Sequence, residues 1–123
     1  MLRSVSGVLV GYLIFALSAA ALFALSGKDP HAPASPVFMI GSILYGVAFS
    51  TIGGYVAALI GRRFEVEHSL AVAALIAVLG AASLLAESAQ ESKWTQLGTV
   101  LVIAPAAMLG GYFRQRQVRA AKA

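Results

Sequence analysis

The sequence predicts an all-α fold, an integral membrane four-helix bundle, and three observations predict it. Of the 123 residues, 59% are hydrophobic and only 11% are charged, against roughly a quarter charged in ordinary soluble domains. Four uncharged runs, 4–27, 37–61, 69–86 and 94–113, are each long enough to cross a hydrocarbon core about 30 Å thick, which takes roughly 17–25 helical residues. No run alternates polar and apolar residues with period two, as a membrane barrel wall does. These runs make one transmembrane domain of the chain and leave only short connections and a basic tail, so any activity has to sit in the bundle or at its rims.

The first run opens after Arg3 and ends in Ala24, Leu25 and Ser26, which resembles a cleavable signal. Its apolar stretch from Val5 to Leu25 is longer than the roughly 7–15 residues of a signal core, so it is expected to persist as a span. The connection that follows packs Pro30, Pro33 and Pro36 into a short polar stretch. Proline removes an amide donor and biases its predecessor away from helix, so the chain turns here.

The second run carries a small residue at every fourth position: Ser42, Gly46, Ser50, Gly54 and Ala58. In lipid, helices associate through close packing and hydrogen bonds rather than hydrophobic drive, and small residues let backbones approach. Gly7 and Gly11 in the first run, and Gly110 and Gly111 in the fourth, have the same character, and all nine positions are predicted to be helix-packing sites. The partner of this ridge is either a neighbouring helix of the same chain or a second copy or another membrane protein. The connection Arg62–His68 flanks Phe64 and Val66 with charge and belongs at an interface. The third run is rich in Ala, Leu and Val. In the fourth, Trp94 suits a headgroup region, and Pro105 should deprive the Leu101 carbonyl of its helical partner and kink the span.

The net charge of +4 follows the membrane rather than a nucleic acid. Arg3, Arg62, Arg63, Arg114, Arg116, Arg119 and Lys122 flank one side of the four runs, and Lys28 and Lys93 the other. Basic residues are retained in cytoplasmic loops, which predicts both termini and the Arg62–Arg63 connection inside. Arg62, Arg63, Arg114, Arg116 and Arg119 are accordingly read as topology and lipid-headgroup residues, so the lipid bilayer is the first expected partner and nucleic acid is not one.

Chemistry is sparse. Cysteine is absent, and Asp29 with His31 gives two metal ligands where a site needs three or four. No nucleophile–base pair or carboxylate pair stands at usable spacing, so no catalytic, cofactor-binding or metal-binding residue is predicted and the chain is not read as an enzyme. Glu87 lies at the end of the third run, and Glu67 and His68 at its start, where solvated caps are expected. Ser50, Thr51 and Thr99 are the candidates for a polar lining, although Ser and Thr also bond back to a carbonyl one turn earlier.

A shift of 57 residues aligns Gly41 with Gly98, Gly53–Gly54–Tyr55 with Gly110–Gly111–Tyr112, and Arg62 with Arg119. Duplication of a two-helix hairpin, giving a parallel internal repeat, is the corresponding expectation. Arg3 with "GYLIFAL", the "GGYVAALIGRR" end of the second run, His68, and Ala104–Pro105 followed by "LGGY" and a basic tail resemble a group of small uncharacterised bacterial four-span proteins. That resemblance implies the bacterial inner membrane and no assigned activity. Small multidrug transporters need a glutamate in the first span, and fluoride channels need membrane asparagines; this chain has neither. Two functions stand: a helix-packing accessory or scaffold that self-associates or joins a membrane partner, and a small-solute channel or transporter.

Overall fold

In the computed structural model, residues 2–27, 35–86 and 94–122 are described, and all of their regular structure is helical. Helix α1 runs Leu2–Ser26, α2 Pro36–Gly61, α3 Glu65–Ala86, α4 Trp94–Gly98 and α5 Ala104–Lys122, with a π-helical turn, Thr99–Ile103, joining the last two. Among the described residues, three helices are long and apolar enough to cross a membrane: α1, α2 and α3. The chain is thus a multi-pass, membrane-embedded helical protein.

Local chemistry sets the helix ends. Ser35 caps α2, its Oγ accepting from the Phe38 amide at 3.2 Å, and Pro36 stands in the first turn, where its missing N–H would have been unsatisfied anyway. At the other end Arg62 adopts a left-handed conformation, φ 67°, and its N–H bonds the Ala58 carbonyl at 3.1 Å. Phe64 is also left-handed, φ 53°. Two such residues reverse the chain between α2 and α3 without a glycine. Helix α3 starts at Glu65, earlier than the uncharged run, and places Glu65 and Glu67 in its first turn, where carboxylates suit the helix dipole.

The segment expected to span residues 94–113 continues instead to Lys122 as helix α5, so the basic tail is helical. Where a kink is expected stands the π-turn, in which the Ala104 amide bonds the Thr99 carbonyl, five residues back. One extra residue is accommodated immediately before Pro105. This is where a proline ring would otherwise press on the preceding turn.

Contacts fix the arrangement. Helix α2 lies close to every other helical element, whereas the backbone of α1 approaches only those of α2 and α3 among the described elements. Arg3 Nε donates to the Ile60 carbonyl at 2.7 Å, and Tyr45 OH to the Ser18 carbonyl at 2.9 Å, so α1 and α2 are antiparallel. Helix α5 runs parallel to α2: Ser50 reaches Ile103, and Tyr55 OH donates to Gln117 Oε1 at 2.6 Å. One end of the bundle therefore gathers Arg3, Arg62, Arg63 and the arginines of α5. The opposite end gathers Phe23, Phe38 and Trp94, whose rings contact one another at centroid distances of 6.0–6.3 Å. The buried centre is made of Phe15, Ala57, Val72, Ile76, Ile103 and Ala107, among others. Leu9, Leu13 and Leu17 on α1, and Leu44 on α2, face outward, which is the disposition of helices solvated by lipid.

Candidate functional site

The small residues converge on two seams. On the first, α1 meets α2. A Cβ placed on Gly11 would strike the Gly53 carbonyl oxygen, and one on Gly53 would strike the Gly11 carbonyl oxygen. Gly7 continues the seam, with the Ala57 oxygen 2.9 Å from its notional Cβ. On the second seam, α2 meets α5: Gly54 abuts the Ala107 carbonyl, whose carbon would be 2.8 Å from an added Cβ, and Gly110 abuts Thr51, Gly54 and Tyr55. Gly46 faces the side chain of Ile103, and Gly111 turns away from α2 to pack on Ser69 and the Glu65 carbonyl of α3. Ser42, Ser50 and Ala58 are buried on the same helix.

Gly53 was not among the sequence candidates, because it lies off the four-residue ridge. Its signal was the tandem itself. Adjacent helical residues differ by about 100° in direction, so neighbouring glycines serve two different neighbours. Gly53 serves α1 while Gly54 serves α5; Gly110 serves α2 while Gly111 serves α3.

Of the candidate polar lining, two hydroxyls are engaged across the second seam. Ser50 Oγ donates to the Ile103 carbonyl at 2.9 Å and also lies 3.2 Å from the Val47 carbonyl. Thr51 Oγ1 lies 3.1 Å from the Ala106 carbonyl and 2.8 Å from that of Val47. Both hydroxyls thereby tie α2 to the region around the π-turn and Pro105. Thr99 lies elsewhere, at the wall shared by two cavities. The first, about 40 Å³, lies between α1, α2 and the α4–π-turn segment and is lined by Phe15, Ser42, Tyr45 and Trp94 among others. The second, a groove of about 310 Å³, lies between α1, α3 and the π-turn and is lined by Tyr12, Ile76, Gly80 and Ser83 among others. Phe15, Ala19, Phe23 and Thr99 border both.

At the basic end, Arg62 and Arg63 are exposed beside the α2–α3 turn. Arg116 lies 5.8 Å above the Tyr112 ring, and Arg114 reaches Gln117 Oε1 at 3.5 Å. Arg119 and Lys122 close the last turn of α5, where positive charge suits the dipole. His68 departs from its expected solvated position. It is 8% exposed and packed against Gly61, with Nδ1 2.9 Å from the Phe64 carbonyl. A carbonyl can only accept, which places a proton on Nδ1; Nε2 is buried with no partner among the described residues.

No cluster of three or more His, Asp, Glu or Cys side chains that could hold a metal occurs among the described residues. Asp29, His31 and Glu87 lie outside them. Compared with family models, characterised proteins and solved structures, the chain matches none.

Proposed function

We propose that this protein is a non-catalytic, helix-packing membrane protein that acts by association, with a second copy or with another membrane protein, as an accessory or scaffold. The observation that supports this reading is the use of Ser50 and Thr51. Their hydroxyls are directed at the Ile103 and Ala106 carbonyls, so the middle of the bundle presents packing and internal hydrogen bonds to the place where a solute path would run. On the same reading the chain belongs to the bacterial inner membrane with both termini cytoplasmic, the segment from Trp94 through α5 completes a fourth crossing, and Arg62, Arg63, Arg114, Arg116 and Arg119 meet anionic headgroups at about 1 kcal/mol each. Duplication of a two-helix hairpin fits the parallel course of α2 and α5 and the tandem glycines, each pair of which divides between two neighbours.

The test is oligomeric state in bilayers. Photobleaching steps or crosslinking of single proteins in liposomes, followed over a hundredfold lipid dilution, should show a species larger than the monomer, or complex formation with a purified membrane partner. Reporter fusions at Ala34, Glu91 and Ala123 should place only the last in the cytoplasm. A small-solute channel or transporter is the second reading, drawing on Ser42 and Thr99 at one cavity. A monomer at every dilution, together with liposome solute flux that falls in Ser50→Ala/Thr51→Val, would replace the first reading by the second.

A further inference from the structure

The bundle differs along its length. Towards the basic end, α1, α2 and α5 meet backbone to backbone at Gly7, Gly11, Gly53, Gly54 and Gly110. Towards the aromatic end, the backbone of α1 stands away from α4 and the π-turn; Phe23 reaches across to the Trp94 ring, and the space left between the elements is the pair of adjoining cavities. Ser42 lines the smaller one. It is 9% exposed, and its hydroxyl has no hydrogen-bond partner among the described residues, although a helical serine can ordinarily bond a carbonyl one turn back, as Ser18 and Ser69 do here. A buried hydroxyl without a partner costs about 1–3 kcal/mol. A ligand atom that satisfies it recovers that cost.

We propose that this crevice binds an uncharged, largely apolar molecule bearing one hydrogen-bonding group, a short-chain alcohol or carbonyl compound, with the polar group on Ser42 Oγ and the chain running past Thr99 into the groove beside α3. Three observations set this chemistry. The smaller cavity, about 40 Å³, has room for about three or four water-sized groups at ~10–15 Å³ each, which suits a polar terminus and not a ring system. The adjoining groove of about 310 Å³ falls in the range of small-molecule sites and suits a chain. No charged side chain among the described residues lines either cavity, so an ionic headgroup would lose its hydration without gaining a counter-charge. Phe23 and Trp94, in ring contact with each other, stand at the end of the smaller cavity. Their aromatic faces accept an apolar chain.

Trp94 is the single tryptophan of the chain and lines the smaller cavity, so its fluorescence reports this site alone. The probes are 6-bromo-1-hexanol and 1-bromohexane, which carry the same heavy-atom quencher with and without a hydroxyl. They are titrated into the full chain in lipid vesicles, which add no tryptophan, with concentrations corrected for partition into lipid. Quenching by the alcohol should saturate, at a concentration about fivefold below that for the alkane, the ratio one modest hydrogen bond supplies. Ser42→Ala should abolish that preference while leaving alkane quenching unchanged. Ala19→Leu, which puts bulk at the junction of the two cavities, should weaken both. Helical circular dichroism and melting temperature establish that each variant is folded, and Ser42→Ala, which removes one oxygen atom, decides the matter if Ala19→Leu is not. Quenching that rises linearly with either probe would mean partition into lipid only and would overturn the proposal. Equal saturation by both probes, or a preference kept by Ser42→Ala, would mean a groove for acyl chains only and would overturn it as well.

Discussion

Gly11 and Gly53 exclude each other's side chains: a Cβ on either one would overlap the carbonyl oxygen of the other. Neither oxygen can retreat, because each belongs to a helical backbone. Gly11→Ala and Gly53→Ala should therefore each lower the stability of the bundle by about 1–3 kcal/mol, the cost of overpacking a close contact. Gly41→Ala provides the opposite sign. No atom lies within 4 Å of its notional Cβ, so the gain in helix propensity, up to ~1 kcal/mol, is uncompensated. Thermal unfolding in one detergent, read by circular dichroism, should separate the two groups; equal melting temperatures would remove the seam as a source of stability.

Gly46 and Gly54 lie on one ridge but differ in what they face. Gly54 faces the Ala107 carbonyl, whereas Gly46 faces the end of the Ile103 side chain. A side-chain terminus can change rotamer; a carbonyl cannot. Gly54→Ala should destabilise the protein more than Gly46→Ala, and Ile103→Val should rescue part of the second and none of the first. A double-mutant cycle measures this directly, with a coupling of about 0.5 kcal/mol or more expected for the Gly46–Ile103 pair. Gly46→Leu together with Gly54→Leu should break the α2–α5 contact and abolish cooperative melting.

Ser50→Ala and Thr51→Val each remove one hydroxyl that bridges to a helical carbonyl. Hydrogen bonds between membrane helices average about 0.6 kcal/mol. The pair of substitutions should then cost under about 2 kcal/mol and leave the helical content unchanged. A larger loss, or a change in oligomeric state, would show that these hydroxyls hold more than the α2–α5 seam.

Arg62 occupies a left-handed conformation at the end of α2, φ 67°, where a side chain costs roughly 1–2 kcal/mol. Arg62→Gly relieves that strain but gives the unfolded chain more freedom, so a net gain of about 0.5–1 kcal/mol is expected. Chemical denaturation in mixed micelles checks the sign.

Much of the architecture was legible because membrane solvation writes long uncharged runs. The bounds of α2 follow from Ser35, Pro36 and Arg62, and all but the last carry ordinary sequence signals. The end of α5 was not legible: charge marks where a helix leaves the membrane, not where it stops, and Arg114 to Lys122 are good helix formers in water as well. Gly53 escaped notice because a search at one spacing finds one face, and α2 uses two. The π-turn was visible only as a proline, since Pro105 announces a disturbance without saying how the preceding turn will absorb it. The burial of His68 against Gly61 follows no sequence pattern; it arises from the tight reversal through Arg62 and Phe64.

The tandem glycines constrain descent as well as packing. Every replacement of a glycine adds at least a Cβ, and at Gly53 and Gly54 the two neighbouring helices stand on different sides, so a shift that accommodates one helix does nothing for the other. Neither position can drift alone, and a compensating change would have to arise in the backbone of a separate helix, where no substitution moves a carbonyl oxygen away. Lineages carrying this fold should keep both glycines while exchanging Gly41, and the outward leucines of α1, freely.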